Sequence, residues 1–293
     1  MRVFVTGASG WIGSALTREL VSAGHEVAGL ARSTASADKL RALGATPVLG
    51  DMLDHDLIVA QAVRADASAH LAFTLDFAEF DETIDNEVRL LEKLASALQF
   101  TGKAFFAASG TPTNLGTLST ETDPLDPEGP AGARARTANA VLALSQKGIR
   151  SGLVRLPRTV HGQGDRNGLI AVLVGLDRQL GTAAYVGDGQ NRWPAVHVSD
   201  AGRLFRLAIE QAPAGSVLHA VAEEGVRMRD VADVIARKTG LPASPVDPDQ
   251  LGVFGALLGG DQPASSAATR ALLGWEPTGP TLLEDLEAGY YTA

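Results

Sequence analysis

Three glycines, one arginine and one serine carry most of the chemistry that can be read from this chain. Thr6-Gly7-Ala8-Ser9-Gly10-Trp11-Ile12-Gly13 has the spacing of a turn that cradles a pyrophosphate. One glycine lets the chain turn sharply, one lets the backbone approach the phosphates, and one lets helix and sheet pack closely. Thr6, Gly7, Ser9, Gly10, Trp11, Ile12 and Gly13 are therefore candidate dinucleotide contacts. The helix that follows would offer free N–H groups and a partial positive charge to the phosphates. An acid about 20 positions beyond the glycines would hold the 2′-hydroxyl of NAD. Here that position reads Leu30-Ala31-Arg32-Ser33, with no acid. A guanidinium at Arg32, helped by the Ser33 hydroxyl, suits the 2′-phosphate of NADP(H). The bland alternative is a solvated arginine at the start of a helix.

Further candidates stand where apolar runs stop. Asp51, after Gly50, could accept from an adenine amino group or cap the next helix. Leu71 and Ala72 would let the backbone run beside the cofactor, and the preceding His70 reads as a packed histidine. Ser109 and Thr111 close another apolar run, where a hydroxyl could hold a substrate oxygen or simply make a turn. His161 could donate a proton near neutrality, or bond to backbone as a loop histidine. Tyr185 to Pro194 reads as a substrate loop containing Tyr185, Arg192 and Trp193. Arg192 could meet a substrate phosphate or stack on Trp193.

Alternating βα elements must hold these residues. Strands are expected near 3–5, 26–30, 46–49, 67–72, 103–108 and 152–156. Helices are expected near 14–20, 38–43, 57–63, 84–98 and 133–146, with a loop rich in Gly, Pro, Thr and Asp from Ser109 to Gly132. Such alternation implies an α/β fold, a Rossmann-type doubly wound parallel sheet covered on both faces. Residues 1–165 would form the dinucleotide-binding domain, with elements around 195–221 returning to it. Residues 166–293 would form a smaller C-terminal substrate lobe over the carboxyl ends of the strands, where ligands bind in such sheets.

Composition narrows the partners. The 293 residues can bury a sizeable core, and 45% hydrophobic with 20% charged residues fits a globular protein. A net charge of −9 argues against nucleic acid. With no cysteine there is no disulfide and no thiolate chemistry, and the six histidines show no metal-ligand spacing. Met1-Arg2 leads straight into a strand without a signal-peptide pattern, and no apolar run approaches about 18 residues. The expectation is a cytoplasmic protein, off the membrane, acting on a small molecule, with a homodimer left open.

The chain resembles an extended short-chain dehydrogenase/reductase of the NAD-dependent epimerase/dehydratase superfamily. The resemblance rests on the Gly7/Gly10/Gly13 spacing, Gly50-Asp51, Ser109, Arg155-Leu156-Pro157 with Val160-His161-Gly162, Val196-His197-Val198-Ser199-Asp200, and Leu273-Gly274-Trp275-Glu276-Pro277. It implies that Ser109 is the catalytic hydroxyl and that Pro157 lies near the nicotinamide. The family's usual acid, a Tyr four residues before a Lys, should sit on the helix after the serine strand. That helix reads Gly132-Ala133-Arg134-Ala135-Arg136-Thr137-Ala138-Asn139-Ala140 and has neither. The resemblance is thus to the atypical, tyrosine-less branches, which mix reductases with NADP-binding regulators. An alkoxide formed by hydride delivery must be protonated as it forms. An enone reduced at carbon needs only hydrogen-bond donors. The expected activity is an NADP-dependent oxidoreductase acting on a carbonyl or conjugated double bond. The alternatives are a redox-sensing NADP-binding regulator and, third, a sugar-nucleotide epimerase or dehydratase.

Overall fold

The computed structural model describes residues 1–73, 80–113, 116–126 and 132–292. Parts of the loop expected from Ser109 to Gly132 lie outside them. Through the first half the chain alternates β1 (Arg2–Thr6), α1 (Trp11–Ser22), β2 (Glu26–Ala31), α2 (Thr34–Ala42), β3 (Thr46–Leu49), α3 (His55–Arg64), β4 (Ala67–His70), α4 (Phe80–Leu98), β5 (Ala104–Gly110), α5 (Gly132–Ala143) and β6 (Arg150–Leu156). Then follow β7 (Thr159–His161), α6 (Leu169–Leu180), β8 (Ala183–Val186), β9 (Arg192–His197), α7 (Val198–Gln211), β10 (Ser216–His219), β11 (Glu223–Arg227), α8 (Met228–Thr239), β12 (Ala243–Val246), α9 (Gly255–Gly259), α10 (Ala267–Leu273) and α11 (Leu282–Glu287).

The large sheet runs β10-β6-β5-β4-β1-β2-β3, with every pair parallel. Strand order reverses between β1 and β4, which opens a crevice at their carboxyl ends. Apolar side chains fill both faces. Leu16, Leu20, Leu204, Phe205 and Trp275 share one core. Ile58, Leu90, Leu94, Phe105 and Val141 share the other. β10 is the seventh strand, and Leu273 and Trp275 pack in the first core, so the chain passes between the two lobes more than once. Two small sheets, β11-β9-β7 and β12-β8, build the second lobe. Trp193, Tyr185, Ile235, Leu282 and Leu286 lie in its core. No helix among the described residues is long and apolar enough to cross a membrane.

Helix starts differ most from the sequence reading. α1 begins at Trp11, inside the glycine turn, with Gly10 as its N-cap. α2 begins at Thr34, because the Ser33 side chain accepts from the Ser36 N–H and caps it.

Candidate functional site

The glycine turn forms the floor of a cleft. Gly7 sits at φ +68, a left-handed conformation that suits glycine, and a Cβ there would lie 2.7 Å from the Ala72 nitrogen. A Cβ on Gly13 would stand 2.0 Å from the Gly7 carbonyl oxygen. Only bare backbone lets α1 start this close to β1 and β4. Gly10 caps α1 without a side-chain hydrogen bond, so the first-turn N–H groups keep their donors for an anion.

Two cavities open from this floor, and both are lined by Gly7, Gly10, Leu71 and Phe73. The outer one, about 500 Å³, also has Ser9, Arg32, Ser36, Asp51 and Ala72 on its walls. The inner one, about 370 Å³, adds Trp11, Ile12, Gly13, Ala108, Ser109, Arg134 and Leu156. Both lie within the size range of small-ligand and cofactor sites. The outer end suits the adenosine half of a dinucleotide. Arg32 is exposed there, and no acid pairs with it among the described residues. Asp51 accepts from the Leu53 N–H at 3.1 Å and keeps a face toward the cavity. Lys39 donates to the Ser9 carbonyl at 2.7 Å and brings a second cation to this corner.

The walls are braced by polar contacts. Trp11 donates from its indole to the Val160 carbonyl at 2.9 Å and ties the start of α1 to β7. The Thr6 hydroxyl is 2.9 Å from His70 Nδ1 and accepts from the Ala72 N–H at 3.3 Å. It therefore shapes the turn from below. Glu87, buried on α4, stands 3.4 Å from His70 Nε2 and accepts from Arg134 at 2.7 Å. Burial works to raise the Glu87 carboxyl, but His70 and then Arg134 outweigh it and hold the group below the usual carboxylate range. Ser109 Oγ is buried and has no hydrogen-bond partner among the described residues. A donor of that kind inside a cavity wall suits a ligand oxygen.

Besides Thr6, seven of the sequence-derived candidates stand outside the walls of both cavities. Ser33 caps α2, and Ser36, three positions on, lines the cavity in its place. Thr111 is buried and donates its backbone N–H to the Leu156 carbonyl. His161 is fully buried on β7 in the second lobe, with Nδ1 2.6 Å from Asp285 of α11 and its ring edge-on to His197. It lines neither cavity. Tyr185 to Pro194 is a strand, a turn and a strand. Tyr185 packs in the second core and accepts from Arg229 at 2.8 Å. Trp193 is 1% exposed and donates to the Gly260 carbonyl. Arg192 makes a two-bond pair with Asp261, which accounts for its charge. Pro157 is buried just after β6, beside Leu156, which reaches the inner cavity. The sequence reading missed Arg134, Glu87 and Phe73. Only the helix bearing Arg134 had a signal, in the residues it lacks.

A parallel sheet with a glycine turn at its reversal point defines a dinucleotide-binding α/β protein. Residues 3–221 match the NAD dependent epimerase/dehydratase family, and the chain belongs to it. The uncharacterized protein C2A9.02 of Schizosaccharomyces pombe is 39% identical over 99% of this chain and 100% of its own length. A 4-hydroxy-2-methyl-3-oxo-4-farnesyl-3,4-dihydroquinoline-1-oxide ketoreductase of Stigmatella aurantiaca is 29% identical, covering 83% of this chain and 75% of its own. Among solved structures, MoeE5 in complex with UDP-glucose and NAD has a TM-score of 0.77 at 23% identity, covering 99% of this chain and 97% of that one.

Proposed function

We propose that the protein is an NADP-dependent oxidoreductase that reduces a carbonyl or a conjugated double bond in a small organic molecule. The observation that carries this reading is the pair of cavities sharing one floor, with Arg32 on the wall of the outer one and, in the inner one, the Ser109 hydroxyl, which has no partner among the described residues. The glycine turn and the open first turn of α1 fit a pyrophosphate between them. Bound there, a nicotinamide cofactor would supply a hydride. Arg32 and Ser36 would hold the 2′-phosphate, Asp51 the adenine, and Ser109 the substrate oxygen. The similarity to a ketoreductase supports the reductase reading.

The likeness to a sugar-nucleotide-binding structure supports a second reading, that of an epimerase or dehydratase. Against it, the three tyrosines lie away from the inner cavity: Tyr185 and Tyr291 are buried in the second lobe and Tyr290 is 41% exposed. The regulator reading shares the cofactor site and differs only in turnover. Titration with NADPH and NADH tests the site. Absorbance of NADPH with a panel of ketones, aldehydes, enones and UDP-glucose tests the chemistry. Tight NADPH binding with enone- or ketone-dependent oxidation is the expected outcome. NADPH binding without turnover of any panel member would favour the regulator.

A further inference from the structure

The inner cavity carries a charged group that none of the readings above has used. Arg134 lines it together with Ser109. The arginine is held on three sides: it donates to Glu87 at 2.7 Å and to the Ala108 carbonyl at 3.2 Å, and its guanidinium lies 4.1 Å from the centre of the Phe73 ring. Ala108 precedes Ser109 in β5, so the guanidinium and the hydroxyl are anchored at adjacent positions of one strand. Glu87 fixes the guanidinium without exhausting it. A guanidinium has five N–H donors, and those outside these two bonds have no hydrogen-bond partner among the described residues and can serve a ligand.

We propose that Arg134 is a catalytic residue, the cation that holds negative charge on the substrate oxygen, and that the cavity takes conjugated carbonyl compounds. The proposal rests on the reading that a nicotinamide lies beside Ser109. Arginine keeps its proton at any physiological pH, and a serine hydroxyl releases its own no more readily. This pair can stabilise an oxyanion but is a poor acid. Hydride addition to an isolated ketone leaves a basic alkoxide that needs a proton in the same step. Addition to the β-carbon of an enone does not. The new C–H bond forms at that carbon, the C=C pair shifts to the α-carbon–carbonyl bond, and the C=O pair moves onto oxygen. NADPH is oxidised to NADP⁺ and the substrate gains two electrons. Arg134 and Ser109 hold the resulting enolate oxygen until water protonates the α-carbon. Glu87 is then a positioning residue, because it acts only through Arg134.

The test uses 4-nitrophenol, whose ionised oxygen imitates the enolate and absorbs visible light. Protein saturated with NADP⁺ is titrated across pH, and the ionisation of the bound phenol is read from its absorbance. The wild type should favour the phenolate about 10- to 100-fold more than water does, the range for a charge-assisted hydrogen bond. Arg134→Gln should lose most of this preference, Arg134→Lys should keep part of it, and Ser109→Ala should lose a smaller part. Absence of binding, an unshifted ionisation in the wild type, or a full shift in Arg134→Gln would overturn the proposal. If Arg134→Gln does not fold, a full shift in Arg134→Lys overturns it equally, since that variant loses the planar fork. NADP⁺ affinity, read separately from protein fluorescence, distinguishes the failures. Without NADP⁺ binding the cofactor reading falls. With binding but no phenolate preference, only the role of Arg134 falls.

Discussion

Arg32 and Asp177 show how differently single residues announce themselves. Arg32 was legible as a pocket residue because its distance from the glycine turn puts it just after β2, and the structure has it on the outer cavity wall. Arg32→Ala should weaken NADPH binding about 10- to 100-fold and leave NADH nearly unchanged. Titration of both cofactors checks this, and an unaltered preference would remove Arg32 from the site. Asp177 carries no such signal, although it is the one acid of α6. In the fold it is 1% exposed, with one oxygen accepting from the Ala184 N–H and the other without a partner among the described residues. Burial raises its pKa to about 7. The folded protein therefore keeps a proton that the unfolded chain gives up above its ordinary value near 3.8. Stability should fall as pH rises between these two values, and the cost is fully present above about 7. Asp177→Asn should be more stable than wild type at pH 8, by up to about 4 kcal/mol, and the gap should close toward pH 4. Urea melts at the two pH values measure it. His161 was misread for a related reason. Its partner Asp285 is 124 residues away, a pairing that no local pattern displays.

At the scale of elements, the βα alternation was readable because each buried strand is a short apolar run stopped by a turn residue. Tyr185 to Pro194 was not. Gly187, Asp188 and Gly189 look like loop punctuation, yet they form only the short turn between β8 and β9. Tyr185 and Trp193 then fall into one core through strands that are too short to show alternation. The glycine turn gives a sharper expectation. Among the described residues a Cβ on Gly10 would meet the Gly7 carbonyl alone, at 3.1 Å, so a small backbone shift absorbs it. Gly10→Val should fold, and should lose dinucleotide affinity by blocking the phosphates. Gly13→Ala places a Cβ 2.0 Å from the same carbonyl oxygen. It should lower the melting temperature as well as affinity. If Gly10→Val binds NADPH as wild type does, the turn is not the phosphate site.

For the molecule as a whole, α11 closes the second lobe. The Thr281 and Glu284 capping box starts it, Leu282 and Leu286 enter the core, and Asp285 reaches across to His161. Leu286→Ala should cost about 2–5 kcal/mol, as other buried leucine truncations do. Chemical denaturation gives the value, and a change below about 1 kcal/mol would show that the lobe does not depend on this helix. The Asp285–His161 contact ties α11 to β7 within the second lobe, across 124 positions of sequence.

The shared floor of the two cavities has a kinetic meaning. Gly7, Gly10, Leu71 and Phe73 border both hollows, so a dinucleotide lying along the turn becomes part of the wall that a second molecule touches. On the proposed reading, substrate finds its full binding surface only after the cofactor has docked. Binding is then ordered and compulsory. The oxidised cofactor competes with the reduced one for the free protein, while the organic product departs first.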